Sequence, residues 1–379
     1  MVKAVIGNIR MPAAVEIKAV TFALALLLLA GAGGCARNSP DSRNGGGGEG
    51  SLKALTLEQK VGQFFLVGFE GTAVTPEVEQ LFREVHPGGI VIFSRNIVDE
   101  SQLKGLISDL QRLSRADGGL PLLVAVDQEG GKVTRLGWLE DNVSQAEVTD
   151  PGQAYQLAFA RAQGLTEVGI NLNLAPVLDA GVQGDFLTRY QRTFSGEPGE
   201  MGEMGKSAIH GQRDGGLLSA VKHFPGYGGI ACDPKNERLA VVPSQPEISQ
   251  FQAAAAADPE FVMTANVVYS ELDPDLPFTL SPSCIAFLRK KVVGEYLVMS
   301  DDLASKVLKE AYGLGETVVG AFKAGVQVLL ISGNEKGDVE TAYKALLEAV
   351  RSGDTAAEEL DERLAGILRE SDTLGRLSG

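Results

Sequence analysis

Cysteine and histidine, which build disulfide frameworks and most transition-metal centres, are scarce in this sequence. Its 379 residues include three of each, and none stands in the CxxC or HExxH spacing of a metal site. Beyond Cys35, near the N-terminus, only Cys232 and Cys284 remain. Two cysteines allow one disulfide at most. We therefore expect no metal, no cofactor and no disulfide framework.

Basic charge is also in deficit. The 34 Lys and Arg residues are outnumbered by 49 Asp and Glu residues, which gives a formal net charge of −15. Nucleic-acid binding needs cations clustered against the phosphates, so we expect no nucleic-acid partner. A hydrophobic fraction of 44% with 22% charged residues is ordinary for a globular protein with a sizeable core. The length allows one large barrel or two smaller domains.

Residues 1–34 have the pattern of a secretory signal. An apolar run over residues 19–30 follows three cations, Lys3, Arg10 and Lys18. The run is shorter than the roughly 20 residues that a membrane-spanning helix needs. The segment Ala32-Gly33-Gly34-Cys35 resembles the lipobox of bacterial lipoproteins, in which the cysteine is lipidated and becomes the new N-terminus. A plain secretory signal with an incidental cysteine is the alternative.

The next segment, residues 35–51, begins with the candidate lipidation site Cys35 and continues with small, polar, glycine-rich sequence. Such a segment cannot bury a core and is predicted to be a flexible tether. The sequence therefore predicts a protein of the cell envelope, lipid-anchored to a membrane and facing the periplasm or the exterior.

From residue 52 to residue 379, short apolar runs alternate with longer amphipathic stretches. This alternation predicts a parallel sheet with crossover helices, and eight units match a (β/α)8 barrel in a single domain. A doubly wound open sheet is the alternative. The eight predicted strands are Phe64–Phe69, Gly89–Ser94, Leu122–Asp127, Ile170–Pro176, Leu218–Phe224, Phe261–Val267, Tyr296–Asp301 and Val326–Ser332.

Polar side chains stand toward the C-terminal ends of several predicted strands. In a (β/α)8 barrel these ends converge on one face, which carries the active site. One polar residue at a strand end is usually a cap, but several on different strands indicate a functional site. They are Asp127, Asn173, Lys222, His223, Asn266 and Asp301.

Six motifs carry a resemblance to a known family. In chain order they are GGIVIFSRNI (88–97), VAVDQEGGKVTRL (124–136), GINLNLAPVLD (169–179), KHFPGYG (222–228), MTANVVYSELDPDLPFTLS (263–281) and VMSDDL (298–303). Together they resemble the family 3 glycoside hydrolases, in the single-domain β-N-acetylglucosaminidase (β-hexosaminidase) branch. The resemblance extends from about Leu55 to Ser332.

This resemblance implies retaining hydrolysis, in which a carboxylate attacks the anomeric carbon and water releases the covalent glycosyl-enzyme. The first acid of the SDDL segment, Asp301, matches the family's nucleophile. We interpret the neighbouring Asp302 as a structural residue, since a carboxylate there is a natural N-cap.

The resemblance also assigns sugar-binding positions to charged residues, whose hydrogen bonds to hydroxyls are strong. For the two arginines a loop-stabilising ion pair is the alternative. Gly130 and Gly131 are expected to allow a close approach of the backbone in the loop after Asp127. The predicted sugar-binding residues are Asp127, Arg135, Arg192, Lys222 and His223.

The general acid/base is where the sequence departs from the family. The family's acid/base is a His two residues after an Asp, and here Asp233 takes the Asp position while Lys235 replaces the His. Lysine has a reference pKa of about 10.4, so it is a poor proton donor or acceptor near neutrality. Asp233 beside it is expected to favour the charged ammonium. Glu237 is the nearest alternative acid on the loop.

Three further departures lie at the same predicted face. Tyr227 replaces the second His of the HFPGHG motif, Asn266 replaces the His of MTAH, and Lys132 replaces an Arg after DQEGG. Because the barrel-forming segments still match, the changes indicate altered or lost chemistry rather than a decayed fold.

Three functions remain open on the sequence. The first is a glycosidase of N-acetylglucosamine-containing glycans such as peptidoglycan fragments. The second is a catalytically impaired barrel lipoprotein that binds a glycan or a partner protein. The third is a glycosidase with another acid, or with another acceptor such as phosphate.

Overall fold

The computed structural model describes residues 54–118, 121–355 and 360–367. The predicted signal (1–34) and the predicted tether with Cys35 (35–51) lie outside the described residues. Within the described ranges, no helix combines the length and the apolar character needed to cross a membrane. Cys232 and Cys284 are both free thiols.

Eight parallel strands form one sheet that curves into a barrel. The spatial order follows the chain, and the first barrel strand pairs with both the second and the last. At the remaining seam, Met299 of the seventh barrel strand bridges Val328, just before the last strand, so the barrel closes there. These strands are β1 (Phe65–Val67), β2 (Gly89–Ile92), β3 (Leu123–Val126), β4 (Leu172–Asn173), β5 (Leu218–Phe224), β7 (Phe261–Thr264), β9 (Leu297–Ser300) and β10 (Leu329–Ile331).

The predicted (β/α)8 barrel is therefore confirmed, and the open doubly wound sheet is wrong. Each predicted apolar run contains one barrel strand. All residues of these eight strands are buried, as expected for parallel strands covered by helices on one side and packed on the barrel interior on the other. A small second sheet of β6 (Val241–Val242) and β8 (Val268–Tyr269) was not predicted.

Helices alternate with the strands and cover the barrel. They are α1 (Leu57–Gly62), α2 (Pro76–Val85), α3 (Glu100–Asp117), α4 (Pro151–Glu167), α5 (Phe186–Arg189), α6 (Pro198–Asp214), α7 (Ser249–Ala254), α8 (Pro282–Lys291), α9 (Lys306–Tyr312), α10 (Leu314–Ala324) and α11 (Asp338–Arg351). Residues 360–367 are also helical. Several helices begin in the way that favours a sharp start, with an oxygen-bearing cap followed by proline, as at Thr75-Pro76 and Asp150-Pro151.

The predicted polar residues stand where the strands end. Asp127 follows β3, and Asp301 follows β9. Lys222 and His223 lie near the C-terminal end of β5. Because all eight strands run in parallel, their C-terminal ends open on the same face. The fold thus brings residues that are up to 174 positions apart in the chain, from 127 to 301, to one pocket.

Candidate active site

A pocket of about 280 Å³ opens at the C-terminal ends of the strands, near the small end of the range for ligand sites. Its lining includes all but one of the catalytic and sugar-binding residues that the resemblance assigned within the described part of the chain. They are Asp127, Arg135, Arg192, Lys222, His223, Asp233 and Asp301, together with Lys235. The exception is Glu237.

Lys222 is the centre of a buried charge network on one side of the pocket. Its ammonium lies 2.7 Å from Asp127 Oδ1 and 2.7 Å from Glu129 Oε1, and the side chain is only 2% exposed. Burial alone would raise the pKa of both carboxyls, but the attraction of nearby cations outweighs it. The pKa of Glu129 falls to about 2 through Arg192 and Lys222. That of Asp127 falls below its usual range through Lys222 and Arg135.

The two predicted arginines have different partners. Arg192 makes a bidentate pair with Glu129, with Nε donating at 2.9 Å and Nη2 at 2.8 Å. Arg135 Nη2 lies 3.6 Å from Asp127 Oδ2, and its buried Nε has no hydrogen-bond partner in the described part of the chain. Both arginines line the pocket, so an ion pair and a ligand contact are compatible here.

The loop after β3 is shaped by glycine and by an asparagine of the next strand. Gly130 and Gly131 have φ of 94° and 59°, in the left-handed region that favours glycine. A Cβ on Gly130 would lie 2.4 Å from the carbonyl oxygen of Val143. Asn173 exchanges two hydrogen bonds with the backbone of Gln128, at 3.0 and 2.9 Å. Asn173 therefore holds the loop that presents Asp127 and Glu129.

Asp179 holds the turn after β5. This fully buried carboxylate accepts hydrogen bonds from the backbone N–H groups of His223, at 3.0 Å, and Tyr227, at 2.5 Å. Its Oδ2 also lies 2.8 Å from His223 Nδ1. His223 is buried and lines the pocket, so this contact fixes the orientation of its ring at the pocket wall.

Asp301 is held at both carboxylate oxygens. Oδ1 lies 2.8 Å from Lys235 Nζ and accepts the N–H of Asp302 at 2.7 Å. Oδ2 accepts the hydroxyl of Tyr227 at 3.0 Å. Burial acts to raise the pKa of Asp301, but the Lys235 ammonium, His223 and these hydrogen bonds lower it well below its usual range. Asp301 is therefore ionised at neutral pH, as a nucleophile must be.

The position of Lys235 corrects one expectation. Its ammonium pairs with Asp301 and not with Asp233, whose Oδ1 instead accepts the Lys235 backbone N–H at 2.8 Å. Burial acts to lower the pKa of Lys235, but the attraction and hydrogen bond of Asp301 outweigh it and raise that pKa. Lys235 therefore stays charged, as expected, although the carboxylate responsible is the candidate nucleophile itself.

The other candidate acids differ in placement. Glu237 is exposed, lies outside the residues that line the pocket, and accepts the N–H of Asp233 at 3.0 Å. The structure does not bring it to Asp301. Asp302 lines the pocket, but its Oδ1 accepts the backbone N–H groups of Ala304 and Ser332, each at 3.0 Å. These bonds fit its structural interpretation, although the N-cap of α9 is Ser305 and not Asp302. Burial raises the pKa of Asp302.

Comparison with known proteins identifies the family. The glycosyl hydrolase family 3 N-terminal domain matches residues 56–369. The chain belongs to this family. It is 32% identical over 282 residues to a β-hexosaminidase of Alkalilimnicola ehrlichii, covering 70% of this chain and 79% of that protein.

Solved structures of the family have the same fold. A family 3 β-N-acetylglucosaminidase from Paenibacillus matches 86% of this chain with a TM-score of 0.79 and 32% identity. The match covers 64% of the length of the Paenibacillus protein. A β-N-acetylhexosaminidase from Beutenbergia cavernae matches with a TM-score of 0.77 and 26% identity, covering 84% of this chain and 99% of that one. The predicted family and the predicted enzyme class, a glycosidase, are confirmed.

Three residues of this family 3 site were not assigned from the sequence. Glu129 neutralises two cations, Asp179 fixes the turn after β5, and Tyr227 binds Asp301. Glu129 and Asp179 both lie inside motifs that carried the resemblance, so their positions were a usable signal. Tyr227 was noted only as a replacement for a family His, and its contact with Asp301 depends on packing that the sequence does not display.

Proposed function

We propose that the protein is a retaining glycosidase of terminal N-acetylglucosamine residues, with Asp301 as the nucleophile. The observation that carries the proposal is the ionised Asp301 carboxylate at the end of β9, lining a pocket whose other walls hold charged hydrogen-bonding groups. The names of the related proteins support the sugar: a β-hexosaminidase and a β-N-acetylglucosaminidase are among them.

The charge network suits recognition of a sugar ring. Asp127 offers acceptor oxygens and Lys222 and Arg135 offer donors, and all three line the pocket. Because Lys222 is buried and already pairs with Asp127, and Arg135 lies beside the same carboxylate, these groups need little reorganisation when a ligand binds. We infer that they bind the hydroxyls of the ring whose anomeric carbon faces Asp301.

Attack on that carbon requires a free carboxylate oxygen. Tyr227 is buried and holds Oδ2, whereas Lys235 is 40% exposed and covers Oδ1 from a loop. Oδ1 also accepts the backbone N–H of Asp302 at 2.7 Å, but it gains a free lone pair if the exposed Lys235 ammonium moves aside when substrate enters. We therefore infer that Oδ1 is the attacking oxygen. The C1–O bond to the leaving group breaks as the C1–Oδ1 bond forms, and water later hydrolyses the ester.

Protonation of the leaving oxygen is the step for which the site has no efficient proton donor among the described residues. Lys235 stays charged and does not release a proton readily near neutrality. We therefore expect fast reaction only with leaving groups that depart as stable anions.

Chromogenic substrates test this directly. We expect kcat/KM for the 2,4-dinitrophenyl β-N-acetylglucosaminide to exceed that for the 4-nitrophenyl compound by roughly 10²-fold or more, the contribution that general acid catalysis otherwise makes. Asp301→Asn should abolish turnover. Asp109→Asn, on α3 and half exposed, is the matched control and should leave it unchanged. Absence of turnover with both substrates would contradict the proposal.

A second function is favoured by the 2.8 Å contact of Lys235 with Asp301. A lysine that neutralises the nucleophile suits a glycan-binding barrel without turnover. Such a protein would bind N-acetylglucosamine, lose affinity on Asp127→Ala, and hydrolyse neither aryl glycoside.

We also propose that Cys35 carries a lipid that anchors the protein in the cell envelope, where peptidoglycan fragments are the available N-acetylglucosamine glycans. The support is the lipobox-like segment and the glycine-rich sequence after it. Membrane fractionation of cells that express the full chain should place it with membranes. Cys35→Ser should release it; recovery of both forms in the soluble fraction would contradict the anchor.

A further inference from the structure

We propose that the barrel face opposite the pocket docks on the anionic headgroups of the membrane that carries the Cys35 lipid, so that the pocket opens away from the bilayer. This face, which we call the N-terminal face, consists of the N-terminal ends of the strands and of the helix ends and loops that lead into them. The inference rests on the proposed lipid anchor and extends it. The partner is a bilayer that contains acidic phospholipids.

The chain enters the barrel on the N-terminal face. Leu55, the second described residue, is buried, and a Cβ on Gly118, directly after α3, would lie 3.3 Å from its side chain. Gln59 Nε2 donates to the Asp117 carbonyl at 2.5 Å. Because α3 ends here and leads into β3, these contacts fix the start of the barrel domain on the face opposite the pocket.

The proposed anchor is a short length of chain away from this entry. Residues 36–53 separate Cys35 from Ala54, the first described residue. A flexible glycine-rich segment of that length spans roughly 20–25 Å on average. Such a tether holds the N-terminal face beside the bilayer at a roughly millimolar effective concentration. Weak contacts with headgroups are therefore enough for docking.

Charge is distributed unevenly along the barrel axis. The helices that return from the pocket face to the N-terminal face tend to begin with acids and to end with cations, as the helix dipole favours. Lys or Arg stands in the last turn of α2, α3, α6, α8, α10 and α11, and Asp or Glu in the first turn of all of these except α8. Salt screens charges over roughly 8 Å at physiological ionic strength. A bilayer at the N-terminal face therefore interacts mainly with the cations there, and little with the acids near the pocket.

Two groups of cations flank the point of entry. Arg112 and Arg115 lie near the end of α3, and Lys290 and Lys291 end α8. All four side chains are exposed. Arg112 pairs with Asp109 of its own helix, and the other three make no ion pair with a residue of the described ranges. The strands that follow these helices, β3 and β9, each lie two positions from β1 around the barrel.

Both groups project past the beginnings of the strands. Gln111 exchanges two hydrogen bonds with the backbone of Leu122, each at 3.0 Å, so the rest of α3 extends beyond the start of β3. Arg289 likewise donates to the carbonyl of Tyr296, directly before β9, at 2.7 Å. In the turn between them Val293 is 82% exposed, and an apolar side chain beside lysines suits the boundary between headgroups and acyl chains. The cations are thus placed to meet lipid phosphates.

Energy transfer to labelled headgroups reports which face meets the membrane. The full chain, purified from cell membranes, would be reconstituted in vesicles of phosphatidylcholine with or without phosphatidylglycerol. A donor dye on Ser352→Cys, at the end of α11, marks the N-terminal face, and one on Ser101→Cys, at the start of α3, marks the pocket face. Cys232→Ser removes the more accessible of the two free thiols, since Cys284 is buried. We expect stronger transfer from position 352, with a larger difference on the acidic vesicles.

Charge variants test the contacts themselves. Lys290→Gln combined with Lys291→Gln should lower the ratio of docked to undocked protein on acidic vesicles roughly fivefold for each lysine removed. Lys306→Gln combined with Lys336→Gln is the matched control. It removes the same charge from exposed positions at the start of α9 and just before α11, on the pocket face, and should leave the transfer unchanged.

The outcomes separate the docking surface from the anchor. Equal transfer from the two positions on acidic vesicles, or stronger transfer from position 101, overturns the docking surface alone, because the protein is still anchored. A difference that is the same on neutral vesicles, or that survives the loss of Lys290 and Lys291, shows that the tether sets the orientation and also overturns it. Protein that sediments with neither kind of vesicle overturns the anchor and the docking surface together.

Discussion

The two oxygens of Asp301 meet donors of different kinds. Lys235 approaches Oδ1 from an exposed loop, whereas Tyr227 approaches Oδ2 from the core. The Tyr227 hydroxyl is fixed in turn, because it accepts the backbone N–H of Asn266 at 2.6 Å. Burial and the nearby Asp301 raise the pKa of Tyr227 well above its usual value, so it remains a hydrogen-bond donor. Tyr227 therefore positions the candidate nucleophile.

Removing this hydroxyl tests the positioning role. Tyr227→Phe should lower kcat for the dinitrophenyl glycoside by about 10-fold or more, since a hydrogen bond to a charged group contributes about 1.5–3 kcal/mol. The KM should change less, because the hydroxyl binds Asp301 rather than the sugar. Tyr269→Phe is the matched control: its hydroxyl donates to the Gly226 carbonyl at 2.9 Å. Equal losses of kcat in both variants would mean that Tyr227 acts only through packing.

Restoring the family's acid/base His two residues after Asp233 tests the role of Lys235. The double variant Pro234→Ser, Lys235→His puts a group that titrates near neutrality in place of a fixed ammonium. We expect the 4-nitrophenyl glycoside to gain more rate than the dinitrophenyl one, because only the poorer leaving group needs a proton. Steady-state kinetics on both substrates measure this difference. Equal rate gains on the two substrates, or no gain on either, would show that the loop is not limited by the absence of a proton donor.

At the level of elements, the ends of β3 and β5 are joined by one buried carboxylate. Glu129 is 1% exposed and pairs with both Lys222 and Arg192. Breaking such a pair from one side leaves uncompensated buried charge, which costs about 3–5 kcal/mol. The loop after β3 and the strand β5 therefore depend on each other for stability.

Chemical denaturation measures this dependence. Glu129→Ala should lower the free energy of unfolding by about 3–5 kcal/mol. Glu203→Ala, which removes an exposed pair with Lys206 at 3.5 Å, should cost less than about 1 kcal/mol. Similar losses in the two variants would mean that the buried network contributes no more than a surface pair.

Elements with strong local signals were predictable from the sequence, and elements defined by long-range contacts were not. The eight barrel strands are continuous apolar runs because both of their faces are buried. The segment around α5 owes its shape to Asp185, which reaches Gly229, 44 positions away. The partner of Lys235 likewise lies 66 positions away in the chain. The sequence predicted that Lys235 is charged. It did not reveal that Asp301 is the partner, because the two residues are far apart in the chain.

At the level of the whole molecule, buried carboxylates link stability to pH. The pKa of Glu129 is lowered to about 2, and those of Asp127 and Asp301 are also lowered. The unfolded chain therefore takes up these protons at higher pH than the folded protein does. Their contribution to stability is complete above the unfolded values, near pH 4 to 4.5, and is lost as the pH falls toward 2. Asp302 has a raised pKa, so its contribution to stability changes with pH in the opposite direction. The three carboxyls with lowered pKa values outweigh this single group.

Thermal unfolding across this range is the corresponding measurement. We expect Tm to fall steeply between about pH 4.5 and pH 2. Glu129→Gln should have a lower Tm at neutral pH and a shallower slope, since one of the three groups no longer titrates. An unchanged slope would show that other carboxylates dominate acid unfolding.

In retaining hydrolysis, Asp301 forms a covalent bond with the sugar. A fluorinated N-acetylglucosaminyl fluoride slows hydrolysis of such a glycosyl-enzyme. Incubation with this compound, followed by mass spectrometry of the intact protein and of its peptides, would detect the bond. We expect one sugar per protein, attached within the peptide that contains Asp301, and no adduct in Asp301→Asn. A protein that binds N-acetylglucosamine but stays unmodified, or an adduct on another carboxylate, would contradict the role of Asp301 as the nucleophile.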